Sequence, residues 1–108
     1  MSKIDLPQGT LDLLVLRVLT GGEMHGWGIA QRLTLISQDA LQLQEGTLYP
    51  ALYRMEAKGW IQSEWASSEN NRRAKYYRLT KVGRKQLEAQ QESWDKLAAL
   101  VARVMQHE

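Results

Sequence analysis

Apolar residues recur at intervals of three and four from the start of the chain. Leu11, Leu14, Val15 and Val18 form one stripe, the pattern of a helix with one buried face. Thr10 is placed to cap this helix, and Gly21-Gly22 to stop it near Thr20. Ile29, Leu33 and Ile36 predict a second helix over about 26–37, with Gln31 and Arg32 turned elsewhere. Leu48, Ala51, Leu52 and Met55 predict a third over about 47–58. With Thr47 as its N-cap, Pro50 falls in the first turn, where backbone amides have no partner to lose. Gly59 then supplies the left-handed residue that commonly ends a helix.

Over 60–66 the period changes to two, with Ile61 and Trp65 separated by polar residues, and 76–79 (Tyr76-Tyr77-Arg78-Leu79) reads as a partner strand. The connection, 67–73, is longer than a tight turn and ends in Arg72-Arg73. Thr80 can cap a last helix over about 81–107, roughly 40 Å long at about 1.5 Å per residue. Three short helices, a hairpin and a further helix give a mainly α fold with a β-hairpin wing, the order of a winged helix-turn-helix. The expected division is a winged helix-turn-helix unit over 1–80 and a C-terminal helix over 81–108, packed as one compact whole.

Composition narrows the functions open to this fold. A chain of 108 residues holds one core and leaves no room for a separate catalytic domain. It lacks cysteine and has two histidines, His25 and His107, so neither thiolate chemistry nor a recognisable zinc-ligand spacing is available. No metal, cofactor or enzymatic activity is expected. The most apolar run, 11–19, contains Asp12 and Arg17 and falls well short of the roughly 20 residues that span a bilayer. A cysteine-free chain without such a segment suits the cytoplasm, with no membrane partner.

The formal net charge of +2 conceals an uneven distribution. Residues 1–45 carry three basic groups against five acidic, and 86–108 two against four. Between them, 46–85 carry nine basic groups against Glu56, Glu64 and Glu69. A polyanion would be met by this middle third. The alternative, a winged helix that binds only protein, does not require such a concentration of positive charge.

Opposite the core face of the third helix lie Thr47, Pro50, Tyr53, Arg54 and Lys58, with small Ala57 allowing a close approach to bases. Tyr49 is divided between packing and contact. Arg54 has the chemistry for a guanine edge or a phosphate. On the hairpin tip, Asn70, Asn71, Arg72, Arg73 and Lys75 suit phosphates or minor-groove acceptors. Hairpin and third helix lie side by side in a winged helix, so the two basic clusters form one expected footprint on double-stranded DNA.

Along the last helix Leu87, Trp94 and Val101 are spaced by seven, with Leu97 and Val104 between them and Gln90 interrupting. This heptad-like seam predicts a homodimer. Trp94 would then stand near the dimer axis. Two copies could be core residues, or could frame a slot for a small aromatic effector.

Four stretches resemble the PadR family of bacterial transcriptional regulators, specifically its short members. They are Gly9-Thr10-Leu11-Asp12, His25-Gly26-Trp27-Gly28-Ile29, Gly46-Thr47-Leu48-Tyr49-Pro50-Ala51-Leu52, and Tyr76-Tyr77-Arg78-Leu79-Thr80 with Gly83. The resemblance implies a cytoplasmic homodimer, usually a repressor, that reads an inverted repeat with its third helix in the major groove and its wing on the flanking backbone or minor groove. It also implies a C-terminal helix packed across the two-fold axis. Trp27 stands where the family often has tyrosine and is expected to pack.

Overall fold

The computed structural model describes residues 6, 7 and 9–107, with elements in the order α1 (Thr10–Leu19), β1 (Met24–His25), α2 (Gly26–Ile36), α3 (Glu45–Ala57), β2 (Ile61–Ser67), β3 (Arg73–Leu79) and α4 (Lys81–Gln106). The strands form an antiparallel sheet in the order β1-β3-β2. This is the winged helix-turn-helix that the period changes predict, with a long C-terminal helix. Two-residue β1 has no counterpart in the sequence reading, because two residues cannot display a period.

The apolar stripes meet in one core. Val15 and Leu16 of α1, Ile29 and Leu33 of α2, Leu48, Leu52 and Met55 of α3, Ile61 of β2, Tyr77 of β3 and Leu87 of α4 are all buried together. All four core positions expected on α3 are buried, since the 3.6-residue period leaves little freedom over three turns. Ile36, expected inside, is 60% exposed together with Leu35. The helix ends there, and the chain turns away through Gln38 and Asp39, both left-handed. Ser37 steadies this turn by accepting the Leu41 amide at 3.0 Å.

The caps differ from expectation at two helices and agree at one. Thr10 lies within α1, and the N-cap is Gly9, left-handed at φ 89° and without a side-chain bond. Likewise Thr47 lies inside α3. That helix starts two residues earlier because the Gln44 carbonyl already accepts the Thr47 and Leu48 amides, both at 3.0 Å. Pro50 is consequently an interior residue. Its missing amide leaves the Gly46 carbonyl, one turn back, without that bond, at the helix end where such a loss is easily solvated. Gly59 ends α3 as expected, at φ 78°, with the Gly59 amide on Glu56 and the Trp60 amide on Met55. Thr80 caps α4 as expected, its Oγ1 accepting the Gly83 amide at 3.0 Å.

Helix α4 has two halves of different character. In the first, Gly83 and Leu87 are buried. A methyl group on Gly83 would stand 2.0 Å from the Trp60 carbonyl oxygen, so the helix crosses the base of the wing in direct backbone contact. Leu87, expected on the seam, is buried in the core of its own protomer. From Gln91 through His107 every residue is exposed, and the molecule is 58 Å along its longest axis.

Candidate nucleic-acid interface

Helix α3 presents its polar face outward because its apolar face is committed to the core. Thr47, Tyr49, Pro50, Tyr53, Arg54, Ala57 and Lys58 are all exposed. Tyr53 is the more open of the two tyrosines on this face, at 77%. Tyr49 is less so, because its ring packs on Gly26 at the start of α2, where a Cβ would come within 2.6 Å of Cε1. The absence of a side chain at Gly26 thus sets how closely α2 and α3 approach. Lys58 lies with Nζ 4.7 Å from the centre of the Trp60 ring.

Arg54 has a partner that sequence reasoning missed. Its Nη2 lies 2.5 Å from Oδ1 of Asp12. Asp12 is buried in the first turn of α1, while the Arg54 side chain is half exposed. The guanidinium therefore ties α3 to α1 and keeps its outer edge in solvent. A partner 42 positions away along the chain leaves no periodic signal.

The wing is longer than expected and its tip shorter. Ser67 pairs with Arg73, so the turn shrinks to 68–72, closed by the Asn71 amide on the Ser68 carbonyl at 3.0 Å. Asn71 takes a left-handed conformation at φ 62°, which asparagine tolerates better than most residues. Asn70, Arg72 and Arg73 are exposed and Lys75 is half-buried.

Two polar contacts fix the wing against α3. Glu56 accepts the Ser63 hydroxyl at 2.5 Å and stands 3.6 Å from the Lys75 ammonium. Beneath them burial pushes the Tyr77 phenol above its ordinary pKa, with Glu56 and Tyr49 adding to the shift, so Tyr77 is neutral across the physiological range. On the other side of β3, His25 caps α2, with Nδ1 accepting the Gly28 amide at 2.9 Å. This bond requires an unprotonated Nδ1. The His25 ring also stacks on Trp27 and meets the edge of Tyr76. Trp27, expected to pack, is otherwise open at 64% exposure.

The result is one surface, with the outer face of α3 on one side, the wing tip on the other and the N-terminus of α2 between them. Among the described residues no group of three histidine, aspartate or glutamate side chains is placed to hold a metal ion, and no helix is long and apolar enough to cross a membrane.

Fold and surface together define a winged helix-turn-helix protein. Residues 15–89 match the model of the transcriptional regulator PadR-like family, and the chain belongs to that family. The transcriptional regulator Rv3488 of Mycobacterium tuberculosis is 31% identical over 94 residues, which cover 87% of this chain and 84% of that protein. Among solved structures, a PadR family transcriptional regulator from Eggerthella lenta superposes with a TM-score of 0.80 at 29% identity, over 94% of this chain and 86% of its own. A PadR family transcription regulator from Clostridium difficile does so with a TM-score of 0.77 at 31% identity, over 90% and 99%. The protein is accordingly a non-enzymatic, DNA-binding transcriptional regulator.

Proposed function

We propose that the protein is a cytoplasmic repressor that binds an inverted-repeat operator as a homodimer and is released by a small aromatic effector. The observation that carries the DNA-binding part is the shared surface of α3 and the wing. Tyr53, Lys58 and the outer edge of Arg54 stand on one element, and Asn70, Asn71, Arg72 and Arg73 on the other. In this reading α3 enters the major groove and reads base edges, while the wing arginines meet phosphates or the minor groove. Thr47, Tyr49 and Pro50 line the approach of α3, and Lys75 braces the wing through Glu56.

The second half of α4 supports the dimer. Trp94, Leu97, Val101 and Val104 recur at three and four residues and are between 42% and 60% exposed, with Leu100 and Met105 widening the stripe. A second copy of the same seam would cover this apolar stripe.

The effector reading has its own support. Pro7, Thr10, Leu13, Gln90, Trp94 and Leu97 line a groove of about 400 Å³ between α1 and α4, within the usual size range of small-molecule sites. The Gln90 Oε1 is buried there without a partner among the described residues, an acceptor for a ligand donor beside the Trp94 indole. A ligand relieves repression only if it binds one spacing of the two wings better than another, and α4 sets that spacing.

Footprinting on a bound promoter fragment tests the reading. Protection should have two-fold symmetry, with half-site centres about 34 to 36 Å apart, and Arg73→Ala should flatten the salt dependence by about one unit of slope. Absence of any protected duplex would refute it. For the effector, planar aromatic compounds should quench tryptophan fluorescence in the wild type and not in Trp94→Phe.

A further inference from the structure

The register of the wing sorts its residues into two faces of opposite character. Ile61 pairs with Leu79, Ser63 with Tyr77, Trp65 with Lys75 and Ser67 with Arg73. Paired residues share a face of the sheet, so the face that is core at the base of the hairpin becomes Trp65, Arg73 and Lys75 as the strands run beyond it. The opposite face carries Gln62 and Glu64, each in contact with Arg78. The sequence pattern placed Trp65 with Ile61, yet Trp65 is 58% exposed. Its ring carries the Arg73 guanidinium, whose central carbon is 5.4 Å from the ring centroid, within the range of a cation–π contact. This inner face looks across a cleft of about 540 Å³ whose other wall holds Trp27 and Tyr49.

We propose that this cleft receives one sugar–phosphate strand of duplex DNA, and that Trp65 is the residue that positions Arg73 for it. The proposal rests on the DNA-binding reading above and adds to it a residue from outside the basic clusters. A guanidinium lying on an aromatic face keeps its N–H edge free in the ring plane for phosphate oxygens. A flexible arginine would surrender that freedom on binding, whereas the stacked one is already held. The charge of the cleft selects its occupant. Among the described residues, Arg72, Arg73 and Lys75 line it against a single carboxylate, Glu69. An acidic backbone bearing apolar deoxyribose fits a cleft with cationic groups and indole walls better than a neutral peptide does.

The test compares wild type, Trp65→Ala, Trp65→Tyr, Arg73→Ala and the Trp65→Ala/Arg73→Ala double variant on one fluorescein-labelled duplex, by anisotropy at several salt concentrations. Trp65→Ala should weaken binding by about three- to tenfold, with Trp65→Tyr recovering most of the loss. Arg73→Ala should cost less in the Trp65→Ala background than in the wild type. Thermal midpoints should be unchanged, since Trp65 is largely in solvent, and acrylamide should quench the Trp65 share of the emission less once duplex is bound. Trp65→Ala with unaltered affinity and salt slope, on a duplex that the wild type binds, overturns the proposal and leaves the DNA-binding reading standing. Strictly additive Trp65 and Arg73 effects also overturn it. A wild type that binds no duplex refutes both.

Discussion

Asp12 in the first turn of α1 and Arg54 on α3 form an ion pair, Oδ1 to Nη2 at 2.5 Å, in which the carboxylate is buried and the guanidinium half exposed. The residue best suited on chemical grounds to read a base therefore also holds the helix that carries it. Removing Arg54 leaves a buried carboxylate without its counter-charge. Arg54→Ala should lower stability by about 1 to 3 kcal/mol in urea unfolding, the range reduced because the arginine side is solvated. Asp12→Asn should recover part of that loss when combined with Arg54→Ala. A decline in DNA affinity with unchanged stability would mean that the pair does not brace α3.

The contact between Gly83 and the Trp60 carbonyl makes a sharper stability prediction. A Cβ at Gly83 meets backbone at 2.0 Å, whereas one at Gly46 meets nothing within 4 Å. Gly83→Ala should lower the thermal midpoint by about 10 °C or more. Gly46→Ala should leave it unchanged or raised, since alanine is the better helix former. Equal effects of the two substitutions would mean that α4 does not lie against the wing as described.

The two halves of α4 should respond differently to charge. Leu97→Glu with Val101→Glu should yield a folded monomer in analytical ultracentrifugation at micromolar concentration, because both side chains are already half exposed in one chain. Leu87→Glu should unfold the protein, because Leu87 is core. A dimer that survives the first pair of substitutions would remove the seam.

Much of this was legible because helical and strand periods are local. The α3 core face, the Gly59 stop, the Thr80 cap and the wing all follow from spacings within a dozen residues. What escaped depends on distant partners or on where an element runs out. The β1 strand exists because His25 and Met24 find Tyr76 and Tyr77. The heptad spacing runs through Leu87 without a break, so it does not show that Leu87 is already buried in one protomer while every residue from Gln91 to His107 is exposed. Trp27 and Ile36 carry apolar side chains at the ends of α2, where the core no longer reaches them.

Tyr77 gives the fold an alkaline limit. Its phenol has a raised pKa in the folded state, first through burial, so folding favours the protonated form. That stability is fully present below the unfolded value near pH 10 and is lost as pH rises through the higher folded value. Urea unfolding between pH 9 and 11.5 should show the decline, and Tyr77→Phe should make it shallower. An unchanged slope in Tyr77→Phe would assign the alkaline loss to another group.

Selection of bound fragments from a pool of random duplexes tests the central claim, that a pair of α3 helices reads DNA sequence from a symmetric dimer. The recovered sequences should share an inverted repeat with half-site centres about 10 base pairs, or one helical turn, apart, and Tyr53→Ala should degrade the preference within each half-site without altering the spacing. Recovery of unenriched sequence, or of a single site without two-fold symmetry, would contradict it.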